Sequence, residues 1–182
     1  MEFEPRVFRR VVTGNNAEGR SGVLFDSATP NQTRRGTGSV FNEFWTFEEA
    51  PAIISGTADG SDRPVSVSPP DRGAHFRIVE SPCENDMPDV DAQEAHASMT
   101  AFALTGVTEH RTDGPHWNMH RTATVDYGFV VDEDRVLVLE DSEVLLHKGD
   151  VVIQLGTWHS WSNRTDGNGS MAYVMIGGEL PD

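Results

Sequence analysis

The chain has 182 residues, with 29 Asp and Glu against 14 Lys and Arg for a formal charge of -15, 37% hydrophobic residues, 17 Gly and 10 Pro. This length predicts one domain whose core needs no disulfide or metal staple, and the composition excludes coiled-coil, collagen-like and low-complexity classes. So acidic a surface repels nucleic acid and anionic membrane, which removes both as expected partners.

No run approaches the roughly 20 apolar residues that span a bilayer, and MEFEPRVFRR puts acids and arginines where a secretory leader would be apolar. Cys83 is the only cysteine, so no internal disulfide can form and the expected compartment is the reducing cytoplasm. Lys148 is the only lysine. That bias fits a salt-loving host, where dense carboxylates keep a protein hydrated, and equally a genomic preference for Arg, Asp and Glu.

In chain order, Arg6–Thr13, Gly22–Asp26, Gly38–Phe47 and Ala74–Glu80 are short β-branched and aromatic runs bounded by turn residues, the signature of strands. Ala50–Arg72 between them carries Pro51, Pro64, Pro69 and Pro70 and reads as a surface excursion. Asp91–Phe102 is the one predicted helix: Asp91 caps it with Glu94 three residues on, and Ala92, Ala95, Met99 and Phe102 recur at helical spacing, so it is expected to pack outside the sheet. Further strands are predicted at Tyr127–Val131, Arg135–Leu139, Val144–His147, Val151–Gln154, Ser160–Asn163 and Ala172–Ile176. Many short strands without an internal repeat predict an all-β, antiparallel barrel or sandwich in a single domain.

The chemistry-bearing residues fall in the second half. His120 is followed six residues later by Asp126, and His159 comes directly after GDVVIQLGTW. Two imidazoles and a carboxylate suit a divalent metal with open coordination positions. On one extended strand His120 and Asp126 would stand about 20 Å apart, against metal bonds near ~2.1 Å, so the chain must bend between Thr122 and Val125. His116 shares a strand face with His120 but would lie ~13 Å away on a straight strand, which leaves it as an acid/base group or a further ligand. Arg121 points away from His120 by strand alternation and is expected in a surface or interface salt bridge. His75, His96, His110 and His147 show no pairing pattern.

GPHWNMHRTATVDYGFVV followed by KGDVVIQLGTWHSWSN resembles the two motifs of the cupin superfamily over Gly114–Ile176, in the small single-barrel form. The resemblance implies a jelly-roll barrel core at 114–178, with residues 1–110 supplying an N-terminal β extension, a loop and one short helix. It places His120 and Asp126 in motif one and His159 in motif two, with Gly149, Asp150, Gly156 and Asn163 as framework. Thr122 stands where a second histidine is expected, Glu133 where motif one usually ends in glycine, and Gln154 near the usual proline.

The expected site is a divalent transition metal (Fe, Mn, Zn or Ni) on His120, Asp126 and His159. His116 and Tyr127 are the candidate proton donors, and Thr122, Gln154 and Trp161 the candidate substrate pocket. Lewis-acid polarisation of a small organic metabolite, as in decarboxylation, dehydration or isomerisation, is the expected chemistry. A non-haem iron dioxygenase and a non-catalytic small-ligand barrel are the alternatives, and the resemblance further implies a homodimer through the first half of the chain.

Overall fold

A computed structural model describes residues 3–54, 56–87, 91–104 and 106–180; residue 55 of the predicted loop lies outside them. The elements in order are β1 (Arg9–Asn15), β2 (Ser21–Ala28), β3 (Asn31–Arg34), β4 (Val40–Phe47), β5 (Ala74–Ser81), α1 (Ala92–Ala101), β6 (Thr108–His110) and β7 (His120–Thr122). There follow β8 (Thr124–Asp132), β9 (Arg135–Leu139), β10 (Glu143–Leu146), β11 (Val151–Leu155), β12 (His159–Ser162) and β13 (Gly169–Gly177). Two antiparallel sheets, six-stranded β11-β8-β13-β5-β4-β3 and five-stranded β10-β9-β12-β7-β6, face each other as an all-β jelly roll. β1 and β2 form a separate hairpin.

Alternation on each strand builds the interior. Val130, Met171, Tyr173 and Met175 from the six-stranded sheet meet Leu137 and Leu146 from the other in one buried cluster. The barrel also draws β3, β4, β5 and β6 from the first 110 residues, so the segment ahead of Gly114 supplies four of the eleven strands of the sandwich. The polar β3 and the three-residue β6 and β7 lack the apolar pattern that marks strands in sequence; their neighbours in the sheet define them.

The helix forms where predicted, with Asp91 accepting hydrogen bonds from the backbone N–H groups of Gln93 and Glu94, both at 2.8 Å. Its position corrects the expectation. Met99 packs with Phe41, Val65 and Val67 and reaches the wall of an internal cavity, so the helix closes the interior instead of lying outside the sheet. The loop is corrected likewise: residues 65–70 are buried, because Val65 and Val67 complete this second core. No helix among the described residues is long and apolar enough to cross a membrane.

Candidate functional site

The predicted bend occurs at Ala123. β7 ends at Thr122 in the five-stranded sheet and β8 begins at Thr124 in the six-stranded one, and the Thr122 and Thr124 hydroxyls share a 2.6 Å hydrogen bond across the corner. His120 on β7 therefore stands opposite His159 on β12 as a direct cross-strand pair, with ring centroids 4.5 Å apart. Asp126 enters from β8, on the facing sheet. All three side chains line one cavity of about 100 Å³ between the sheets.

Each histidine is held by the backbone just before it. His120 Nδ1 donates to the Asn118 carbonyl at 2.8 Å, and His159 Nδ1 donates to the Thr157 carbonyl at 2.9 Å. A carbonyl can only accept, so both Nδ1 atoms carry the proton and both Nε2 atoms keep a lone pair. Burial, and for His120 also the neighbouring His159, holds that ring's pKa well below the ordinary histidine value; burial takes His159 down to about 4. Neutral, oriented imidazoles with free Nε2 atoms are what a transition metal requires of its ligands.

The turn that carries His159 is built by two residues of the resemblance. Gly156 adopts φ 62°, and a Cβ there would come within 3.2 Å of the Thr122 carbonyl oxygen, so only glycine lets the turn approach β7. Gln154 is buried, and its amide donates to the Thr157 hydroxyl. It thus braces the turn rather than lining the cavity. Asn163 ties the end of β12 to Ser81 and Gly167 through its amide N–H groups. Glu133, standing in for glycine, takes a left-handed φ of 53°.

Asp126 is 5% exposed, and its Oδ1 is buried without a hydrogen-bond partner. Burial pushes its carboxyl up to about 6, against the opposing influence of the Thr124 hydroxyl and the Arg77 charge. By donor type the two histidines and this carboxylate suit a divalent transition metal, and the histidine pair suits one in placement as well. Asp126 stands across from the pair: no cluster of three or more His, Cys, Asp or Glu placed to hold a metal ion occurs among the described residues.

Thr122 and Trp161 line the cavity as expected, with Trp161 edge-on to both His159 and Tyr173. The two candidate proton donors do not. Tyr127 alternates with Asp126 and so projects from the outer face of the six-stranded sheet, 40% exposed. His116 sits behind the cavity wall, its Nε2 donating to Glu84 at 3.1 Å while its Nδ1 accepts from the Asn118 N–H at 3.1 Å and from Ser160 Oγ at 2.8 Å. It touches the cavity wall through Asn118 and through Glu84, whose other oxygen accepts from Ser162. Arg121 points outward as predicted, in a two-pronged pair with Glu109 on β6.

Sequence reasoning missed Arg35, Arg77, Glu84 and Tyr173, all on the cavity wall. Tyr173 was within reach, since it alternates with Met171 and Met175 on the core face of β13. Its phenol is pushed up by burial and keeps its proton. Arg77 pairs with Glu43 at 2.8 Å, both side chains almost wholly buried.

No family model matches the chain. It is 26% identical over 170 residues to the cupin-domain-containing oxidoreductase virC of Hypocrea virens, covering 92% of this chain and 72% of that protein. A shorter stretch of 60 residues is 45% identical to phomopsin biosynthesis cluster protein C' of Diaporthe leptostromiformis, spanning about a third (32%) of each. Among solved structures it is similar to the Cnp3 cupin domain of Schizosaccharomyces pombe, at 11% identity over 93% of this chain and 87% of that one, with a TM-score of 0.45. The chain thus combines a two-sheeted antiparallel jelly roll with a similarity, over 92% of its length, to a cupin-domain-containing oxidoreductase.

Proposed function

We propose that this chain is a metal-dependent enzyme acting on a small organic molecule, with a divalent transition metal (Fe, Mn, Zn or Ni) held by His120 and His159, and with Asp126 facing that pair from the opposite wall of the cavity. The observation that carries this reading is the histidine pair: two buried rings in register, each with Nδ1 committed to a backbone carbonyl, present two free Nε2 lone pairs side by side. A bound ion supplies Lewis-acid polarisation of a carbonyl or carboxylate oxygen, which lyase-type chemistry needs. The chain's own residues supply the enclosure. Trp161, Thr122 and Tyr173 shape the pocket, and the His116–Glu84–Ser162 hydrogen bonds hold the Glu84 carboxylate ionised on its wall.

A second reading, oxidation of the substrate at non-haem iron, is favoured by the oxidoreductase name of a relative that matches most of the chain. A homodimer is part of the same proposal. It is supported by the apolar outer face of the six-stranded sheet, where Ile153, Tyr127, Val174 and Phe76 run in register across four strands, three of them from the second half of the chain and not the first half that the resemblance implied. The buried single thiol of Cys83 suits a reducing cytoplasm.

Metal analysis by mass spectrometry on the wild type beside His120→Ala and His159→Ala tests the site. Near one equivalent in the wild type and none in either variant is the expected result, after which oxygen uptake separates the two chemistries. Absence of metal after anaerobic reconstitution would overturn both and leave a ligand-binding barrel.

A further inference from the structure

We infer that Arg35 anchors a carboxylate of the ligand, so that the cavity takes a small monocarboxylic acid with an apolar body. The inference rests on the reading of this cavity as the active site and adds the class of molecule it admits.

Arg35 follows β3 in a tight turn closed by its own backbone, its N–H donating to the Ser39 carbonyl at 2.8 Å and its carbonyl accepting from the Gly38 N–H at 2.9 Å. The turn aims the side chain inward. The residue is 6% exposed and its guanidinium stands on the cavity wall, with the Phe41 ring 5.4 Å away. Its polar contacts among the described residues amount to one long contact from Nη2 to Met99 Sδ at 3.9 Å; Nε is buried with no partner.

The contrast with Arg77 gives the observation its force. Arg77 stacks on the same Phe41 ring at 4.8 Å, but it is paired with Glu43 and donates to the Val67 and Ser66 carbonyls. Arg10 pairs with Asp59 and Arg121 with Glu109. Arg135 is also buried without a partner, yet it is absent from the cavity wall and no ligand reaches it there. Among the described residues, Arg35 alone joins a buried guanidinium without an ion-pair partner to the cavity.

A buried charge without a counter-charge is costly, and a partner that enters with the opposite sign removes the cost. Burial and the like charge of Arg77 lower the Arg35 pKa only to about 10, so it is a cation at neutral pH. One planar fork with one positive charge matches a carboxylate bidentately; a phosphate dianion would leave a second negative charge uncompensated in a chain already at -15. Phe41 and Met99 lie against the guanidinium, and Val67, Val79 and Trp117 add apolar surface to a wall that also carries the polar Thr37, Ser39, Ser81 and Glu84. An acid held at Arg35 thus shares one cavity with the apolar wall and the histidine pair.

Calorimetric titration of metal-free protein with isovalerate and phenylacetate, each beside its neutral primary amide, and with methylphosphonate tests this. In the wild type the carboxylates should bind about tenfold or more tightly than the amides, with the phosphonate weaker. Arg35→Gln should bring the ratio close to one, and Arg35→Lys should reduce it, since an ammonium lacks the fork. The melting temperature of ligand-free Arg35→Gln should equal or exceed that of the wild type, because an unpaired buried charge has been removed. An unchanged carboxylate preference in both variants, or no preference in the wild type, would overturn the assignment; should Arg35→Gln fail to fold, Arg35→Lys decides. His120→Ala should keep the preference. Failure of the metal reading would thus leave the anchor standing, and loss of carboxylate selectivity would leave the metal site untouched.

Discussion

The six-stranded sheet has two faces built from the same strands, and they invert the usual arrangement of polar inside and out. Its inner face carries Asp126, Arg77, Glu43 and His75, all buried, alongside the apolar Met171 and Met175. Its outer face carries Tyr127, Phe129, Ile153 and Leu155, all more than a third exposed. On β8 the switch takes a single residue, from Asp126 inside to Tyr127 outside. Burying charge is unfavourable unless it is paired or used, and exposing a contiguous apolar surface is unfavourable unless it is covered. The inner face thus fits the site proposed above, and the outer face the proposed homodimer contact.

The inner face yields the largest expected effect. Glu43→Ala strands the Arg77 charge beside the cavity and should cost about 3–5 kcal/mol of stability, whereas the double substitution Glu43→Leu, Arg77→Met should cost far less. Urea denaturation of the three proteins measures both. Equal losses in the single and double variants would mean that the pair's packing matters more than its charge.

A smaller effect separates the face's acid from the facing histidines, read in chelator-treated protein. The unfolded chain takes up a proton on His159 near its ordinary pKa of 6.5, while the folded chain refuses it until about 4, so stability is lost as pH falls across that window. The loss from this residue is on the order of 3 kcal/mol; His75 and His120, both lowered by burial, add to it with the same sign. Asp126 opposes them. Its folded carboxyl, raised from 3.8 to about 6, takes a proton before the unfolded one does, so it returns stability as pH falls between those values. Stability curves from pH 7.5 to 4.5 should therefore fall more steeply in Asp126→Asn than in the wild type, and parallel curves would contradict the opposed roles of the two walls.

The outer face should show the smallest effect on folding and the clearest effect on assembly. Ile153→Glu places a carboxylate on a position that is 51% exposed in the single chain and should change the stability of an isolated chain by about 0.5 kcal/mol or less. Light scattering should nevertheless report a shift from dimer to monomer. A wild type that is already monomeric would remove the interface reading and leave the apolar face unexplained.

Much of this was legible in the residues. The turn glycines Gly149 and Gly156 take the positive φ values that the motif implies, and Arg121 faces outward as alternation requires. The bend between Thr122 and Val125 followed from distance alone. Tyr127 and His116 stand off the cavity wall because nearness in sequence to His120 and Asp126 says nothing about side: one residue along a strand reverses the face, and His116 lies in a loop folded behind β12. The helix was located by its cap and periodicity, but its small, weakly apolar stripe, with only Ala95 and Met99 buried, gave no sign of which surface it would meet.

By itself the sequence determined the all-β class, the two histidines that must meet, and the acidic, lysine-free character outside Lys148, because period-two patterning, motif spacing and charge are local properties of the chain. Only the tertiary structure decided that Asp126 faces the histidines from the other sheet, that Tyr173 and not Tyr127 looks inward, and that Arg35 has no counter-charge. Each of those depends on register between strands far apart in sequence, and the absence of a partner is a property of the whole surroundings of a side chain, which no local pattern records.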